Sequence, residues 1–280
     1  MKYFLVDSGK QQKLERFGDY LLVRPCSQAI WEPRLPYEKW SRADGVFTRE
    51  KENKWNVFAK LPKSWTVEIE QIQFKIAPTD FGHLGVFPEH AVLWKWMEKK
   101  MIRYTEGSRP NILNLFAYSG GATLAAAKAG AKVCHLDASK GMVSWARENA
   151  ALNGLTDAPI RWIVEDVVKF LKREIKRGSR YEGIILDPPS FGRGNQGEVF
   201  KIERDLNLIL ELCRNLLSNE PLFLILSTHT PGFTPTVMRH ILSQTMLGLE
   251  GKIEAGEMLL SGQDTLDLPC GSYARWHDEA

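Results

Sequence analysis

Asn111-Ile-Leu-Asn-Leu-Phe116, Tyr118-Ser-Gly-Gly121, the alanine-rich run Ala122 to Ala129, and Lys132-Val-Cys-His-Leu136 with Asp137 behind it read in order as strand, glycine turn, helix, strand and acid. The first run is apolar and of strand length. At the turn, two missing Cβ atoms let backbone approach a ligand. Alanine favours helix after it. In such a unit the carboxylate ending the second strand can accept both ribose hydroxyls of a nucleoside cofactor. A later stretch, Ile184-Ile-Leu-Asp-Pro-Pro-Ser-Phe191, ends another strand in an acid and two prolines. Proline fixes φ and has no N–H, so the Asp187 carboxylate and the adjoining carbonyls keep set directions.

A glycine turn alone fits NAD, FAD or S-adenosylmethionine (SAM). Here Gly120 and Gly121 are adjacent, and Ala122-Thr-Leu124 brings no third glycine. That spacing argues against a dinucleotide, whose pyrophosphate must sit close on a helix N-terminus.

From Asn111 onward strands and helices alternate. Helices are predicted over Lys140 to Asn153, Val167 to Arg177, Glu198 to Leu217 and Thr234 to Leu247. Strands are predicted over Ile160 to Val164, Gly183 to Leu186, Leu222 to Ser227, Lys252 to Leu260 and Gly271 to Trp276. Alternation implies a mainly parallel sheet covered by helices on both faces, with ligands at the carboxyl ends of the strands. Before this part come short strand-like runs: Tyr20 to Arg24, Gly45 to Arg49, Trp55 to Ala59, Trp65 to Ile69 and Gln73 to Ile76. They predict a small β-rich domain. A helix with proline in its first turn is predicted over Pro88 to Ile102. The expected organisation is a β-rich domain over 1–80, a connecting segment and helix over 81–110, and an α/β domain over 111–280.

The motifs Asn114-Leu-Phe-Ala-Tyr-Ser-Gly-Gly121, Leu136-Asp-Ala-Ser139, Ala146-Arg-Glu-Asn-Ala-Ala-Leu-Asn153, Glu165-Asp166 and Leu186-Asp-Pro-Pro-Ser-Phe191 together resemble the class I SAM-dependent methyltransferases. The resemblance runs from about Asp80 to Trp276, and is to the branch that modifies bases of large-subunit ribosomal RNA. It implies a Rossmann-like sheet, mainly parallel with one antiparallel strand, and SAM as cofactor. It also implies that Phe116, Tyr118, Ser119, Gly120, Gly121, Asp137, Ala138, Ser139, Asn153, Asp166, Val167 and Asp187 hold that cofactor. An acid at position 166 contacts the adenine amino group in that family. Asp166 also has the character of a helix N-cap, as Ser139 does, and the two readings are compatible.

Methyl transfer from a sulfonium is an in-line displacement with a neutral leaving group, so holding the acceptor atom in line is the main task. Asp187, Pro188 and Pro189 are the candidates for that, with Phe191 placed to stack on a target base or to pack on its own domain. In amino-group methyltransferases the residue after the two prolines is usually aromatic. Here it is Ser190, with Phe191 next. Relatives that alkylate N7 of guanine show a similar Asp-Pro-Pro-hydroxyl-Phe, and others act on C5 of cytosine. Carbon 5 is a poor nucleophile, and those enzymes first attack C6 with a cysteine thiolate. In them the cysteine follows the fifth strand. In this chain the segment is Leu226-Ser-Thr-His-Thr230, without cysteine, and Cys213 falls among apolar residues of a predicted helix. A nitrogen target is expected. Phe81-Gly-His-Leu-Gly-Val-Phe-Pro-Glu-His90 resembles a Gly-x-Phe segment of the rRNA enzymes, but Pro88-Glu89-His90 replaces their Asp-Gln-Arg.

Composition sets the remaining bounds. The chain has 280 residues, 44% hydrophobic and 25% charged, with a net charge of +3 that permits a nucleic-acid partner without demanding one. No apolar stretch reaches the ~20 residues of a membrane span. No signal-peptide pattern opens the sequence. Four scattered cysteines without C-x-x-C argue against a metal site and suit a reducing cytoplasm. Lys169, Lys172, Arg173, Lys176, Arg177 and Arg180 form a basic helical stripe that reads first as a solvated face. Trp31, Arg34, Trp40, Arg42 and Trp55 are either clamps for single-stranded RNA or core residues of the small domain. The expected function is methylation of an RNA base, with ribosomal RNA favoured. A protein or small-molecule methyltransferase, or a non-catalytic SAM- or RNA-binding protein, is the alternative.

Overall fold

Parallel strands joined through helices run from Asn111 to Thr245. The computed structural model describes residues 1–49, 53–58, 61–102, 109–193, 197 and 199–279. Ala59 of one predicted strand, Glu198 at a predicted helix start and residues 103–108 of the connecting segment lie outside the described residues. Two compact units are present: Met1–Ala91 with Leu259–Cys270, and Val92–Met258 with Gly271–Ala280.

The first unit contains β1 (Tyr3–Gly9), β2 (Gln12–Phe17), β3 (Tyr20–Pro25), a short α1 (Tyr37–Trp40), β4 (Gly45–Thr48), β5 (Lys54–Val57), β6 (Trp65–Ile69) and β7 (Ile72–Ile76). β1 to β5 pair in chain order into one sheet, and β6 with β7 forms a second. β1 and β2 carry buried charge: Asp7 and Glu15 are both fully enclosed. Arg24 grips Glu15 with two bonds, of 2.7 and 2.8 Å, and Tyr3 donates to it at 3.0 Å. Asp7 accepts from the backbone of Ser8, Arg34 and Leu35, from the Trp40 indole, and from the Thr265 hydroxyl. Leu5, Cys26 and Ala29 share a core with Leu260, Leu268 and Cys270. This unit therefore takes a late piece of the chain into its interior.

The second unit holds most of α2 (Ala91–Met101), then β8 (Asn111–Leu115), α3 (Gly121–Lys128), β9 (Lys132–Asp137), α4 (Lys140–Leu152), β10 (Ile160–Val164), α5 (Val167–Lys176), β11 (Gly183–Leu186), the short β12 (Phe191–Arg193) and β13 (Val199–Lys201), α6 (Ile202–Leu216), β14 (Phe223–Thr228) and α7 (Pro235–Thr245). β15 (Lys252–Leu260) and β16 (Leu268–His277) end the sheet. The strand order is β10-β9-β8-β11-β14-β16-β15. The first five are parallel, and β16 runs antiparallel to β14. Leu113, Leu115, Leu136, Ile184, Leu186, Leu224 and Leu226 bury one face against α5, α6 and α7. Such fully buried strands read as nearly continuous apolar runs. The mixed α/β sheet is the one expected.

Candidate active site

Strand register sets the site. Leu136 pairs with Leu115, Leu115 with Leu186, and Leu186 with Leu226. The next residue on each strand is Asp137, Phe116, Asp187 and Ser227, so these four form a row across the carboxyl edge. In a doubly wound sheet this edge, where strand order reverses beside β8, is where ligands bind.

After β8 the backbone turns sharply. Phe116 (φ 54°), Tyr118 (φ 50°) and Gly120 (φ 92°) all take left-handed conformations, the first two without glycine's freedom. Such strain costs on the order of 1 kcal/mol or more per residue and persists where surrounding bonds impose it. Here the bonds are visible. Tyr118 N–H donates to Asp137 Oδ2 at 2.9 Å, Ala117 N–H to the Leu136 carbonyl at 3.0 Å, and Asn149 Nδ2 to the Ser119 carbonyl at 3.0 Å. A Cβ on Gly120 would lie 3.1 Å from that of Ala146, so α4 packs directly on the turn. The missing Cβ of Gly121 is answered differently: Trp94 occupies that space, at 2.4 Å from where it would stand.

Asp137 accepts one backbone N–H on each carboxylate oxygen, from Tyr118 and from Ser139, the latter at 2.8 Å. Burial raises its pKa, and the two N–H donors oppose that rise. A carboxylate offers about four lone-pair sites, and two of them lie beyond these backbone bonds, matching the two hydroxyls of a ribose. Ser139 caps α4 and Asp166 caps α5, accepting from Lys169 N–H at 3.0 Å. The capping reading of both holds. Ala138 follows Asp137 directly, and Val167 is buried as the first residue of α5.

Asp187 and the prolines are held from β14. Ser227 donates to Asp187 Oδ1 at 2.8 Å, and the Thr228 hydroxyl reaches the Pro188 carbonyl at 3.3 Å. Thr228 also reaches Thr230 at 3.0 Å, and Thr230 meets Ser190 at 2.8 Å. Ser227, Thr228 and Thr230 are buried. The segment that lacks a cysteine thus supplies hydroxyls that fix the acidic loop.

The sequence profile of the S-adenosylmethionine-dependent methyltransferases matches residues 51–241. The chain belongs to this family. A crystal structure of a SAM-dependent methyltransferase from Agrobacterium tumefaciens is 40% identical, with a TM-score of 0.94 over 100% of this chain and 91% of that one. A SAM-dependent methyltransferase from Streptococcus mutans shares the fold at 17% identity, with a TM-score of 0.75 over 98% and 75% of the two chains. The ribosomal RNA large subunit methyltransferase K/L of Shewanella frigidimarina is 32% identical over 195 residues, 68% of this chain and 25% of that protein. The chain spans about a quarter of the length of the curated relatives it matches.

In this chain most of the expected site residues lie at or beside the strand edge. Asn153 lies at the far end of α4 from Ser139. It is the C-cap of α4, donating to the Asn149 carbonyl, and α4 runs away from Ser139 for about 20 Å at 1.5 Å per residue. Asn149, one turn earlier, is the residue that reaches the glycine turn, and its complete burial marks the role. The sequence shows the two asparagines one helical turn apart but not which of them faces the turn.

The four cysteines are all buried and free. Burial pushes the Cys134 thiol up to about 11 and raises Cys213 and Cys270 as well. The basic stripe on α5 is partly consumed by pairing: Arg173 binds Glu165, and Arg177 joins Arg161 on the buried Glu174. The tryptophans of the first unit are half-buried and hydrogen-bonded within it. Trp31, Trp55 and Trp65 donate their indole N–H to backbone carbonyls, and Trp40 donates to Asp7. Among the described residues no helix is long and apolar enough to cross a membrane.

Proposed function

We propose that this chain methylates a nitrogen of an RNA base, with ribosomal RNA the favoured substrate, in the cytoplasm. The observation that carries the reading is the pairing of a fixed acceptor set, the Asp187 carboxylate and the Pro188 carbonyl, with the absence of any exposed thiol among the four cysteines. A C5 target requires a thiolate, and buried thiols with raised pKa values do not supply one. The 32% identity to an enzyme named as an rRNA methyltransferase supports the choice of RNA.

Bound SAM would supply a methyl group on a sulfonium, the N–C bond forming in line as the C–S bond breaks and S-adenosylhomocysteine leaves as a neutral thioether. Asp137 receives the ribose hydroxyls. Phe116, Tyr118 to Gly121, Ala138 and Ser139 line the same turn, and Asp166 with Val167 faces the adenine. Asp187 and the Pro188 carbonyl accept hydrogen bonds from the base edge and so aim its nitrogen lone pair. A proton leaving an amino nitrogen passes to Asp187 or to solvent. Pro189 stiffens the loop, and Phe191 offers its ring to a base of the same strand. Residues 1–80 present the substrate.

The test is transfer of labelled methyl from SAM to total RNA from cells lacking this protein, followed by mass identification of the labelled nucleoside. A methylated guanine or adenine is expected. Label in 5-methylcytosine would overturn the nitrogen reading, and none in RNA despite tight SAM binding would move the substrate to protein or small molecules.

A further inference from the structure

β12 and β13 form a small ribbon immediately after Ser190. Phe191 pairs with Lys201, Gly192 with Phe200, and Arg193 with Val199. Opposed residues share a face and successive ones alternate. Gly192 and Phe200 therefore face one way, and Phe191, Arg193, Val199 and Lys201 the other. The inner face is anchored. Phe200 packs on Phe116 with ring centroids 5.2 Å apart, and Pro189 lies 3.6 Å from where a Gly192 Cβ would stand. The base of β13 is pinned as well: Lys201 N–H donates to Asp205 at 2.9 Å, and Arg204 binds both Asp205 and the Val199 carbonyl. The outer face is left to solvent. Phe191 is 49% exposed and Val199 41%, and Arg193 and Lys201 are exposed. The Arg193 guanidinium sits 5.8 Å from the centre of the Phe191 ring.

A braced ribbon showing an aromatic ring, an aliphatic side chain and two cations, with no acid among the four, fits one kind of partner well. We propose that this outer face is a docking surface for the single-stranded RNA that flanks the target base, with Phe191 stacking on an unpaired base and Arg193 and Lys201 meeting phosphates. Stacking on an aromatic ring and cations tracking the backbone are how single strands are held without sequence reading. This rests on the RNA reading above and adds where the strand lies. Because the inner face is tied to Phe116 and Pro189, at the edge of the row formed by Phe116 and Asp187, a strand on the outer face stays in register with that loop.

The experiment measures binding of a fluorescent, unstructured oligoribonucleotide to the full chain by anisotropy across a salt series, with SAM affinity measured by calorimetry on each variant. Phe191→Leu weakens RNA binding about tenfold, while Phe191→Tyr keeps it within about twofold, because the ring and not its hydrophobicity is what a base needs. Arg193→Glu with Lys201→Glu lowers the slope of log affinity against log salt by about 1–2. SAM affinity stays at the wild-type value in all three, which shows that the fold is intact. Wild-type RNA affinity and slope in these variants would overturn the docking surface while leaving the RNA substrate standing. A wild-type protein that binds SAM but neither binds nor methylates RNA would overturn both, and would leave the ribbon as a surface for another protein.

Discussion

The Ser227 hydroxyl holds Asp187 across two neighbouring parallel strands, at 2.8 Å from Oδ1, one residue beyond the pairing of Leu186 with Leu226. Ser227 is buried, so it orients Asp187 rather than taking part in the transfer. Ser227→Ala is expected to lower kcat by about 10–100-fold, the scale of an ångström of misplacement at a reacting centre. SAM affinity is expected to be unchanged. Asp187→Ala should lower kcat further. Steady-state kinetics with calorimetric SAM titration checks both, and an unchanged kcat in Ser227→Ala would remove the orienting role.

Asp137 has two tasks that one substitution separates. Asp137→Ala removes both backbone acceptors and the ribose contacts, so SAM binding should be lost and Tyr118 should leave its left-handed conformation. Asp137→Asn keeps one acceptor for the backbone and weakens SAM by about 1.5–3 kcal/mol, the worth of a charge-assisted hydrogen bond. Near-normal affinity in the alanine variant would reject the ribose assignment.

The two asparagines of α4 should differ. Asn149→Ala leaves the Ser119 carbonyl without its side-chain donor in a buried setting, at a cost of about 1–3 kcal/mol in stability, and loosens SAM binding. Asn153→Ala removes the bond to the Asn149 carbonyl at the end of α4, and its effect should be smaller, about 1 kcal/mol, with SAM affinity intact. Denaturant melts and SAM titrations of the pair decide the matter.

His135 makes the fold sensitive to acid. It is fully buried in the second unit, with Nδ1 at 2.9 Å from Thr123, which Asn114 also bonds, and its ring against Trp162. Burial, helped by Arg147, pushes its pKa down to about 3. Between the ordinary histidine value and that figure the unfolded chain binds a proton that the folded chain refuses, so stability falls as pH drops. The loss is about 1.4 kcal/mol per unit below roughly pH 6.5. His135→Gln should flatten this limb, which urea melts at about pH 7 and pH 5 would reveal.

Cys213→Ala should cost about 1 kcal/mol of stability, as a small cavity in α6 does, and leave methyl transfer intact. A folded variant that turns over no substrate would restore a thiol mechanism and overturn the nitrogen target.

The parallel strands of the α/β sheet were legible because β8, β11 and β14 are mostly apolar and β9 and β11 are each followed or ended by an acid, and register then carries Asp137 and Asp187 to one edge. The first two strands of the chain were not legible. β1 and β2 carry Asp7, Lys13 and Glu15, charges that the fold encloses or half-encloses by pairing and by bonds to backbone. No alternation of apolar and polar residues records such an exchange. The ribbon was missed for another reason: Phe191 to Arg193 and Val199 to Lys201 are too short for a periodic signal, and the sequence suggests that α6 begins earlier than Ile202. Which face of α4 meets the glycine turn was not legible either, because helix phase needs the packing partner to be known; the structure shows Asn149 bonded to the Ser119 carbonyl.

The late entry of Leu259–Cys270 into the first unit has a consequence for how the chain is made. Leu5 and Cys26 await Leu260 and Leu268, and Asp7 awaits Thr265. At a ribosomal rate of about 5–20 residues per second, the N-terminal strands spend on the order of ten seconds or more outside the tunnel before their last partners are translated. During that interval the buried acids and apolar faces of β1 and β2 are incompletely covered, and completion of the first unit is coupled to synthesis through Cys270.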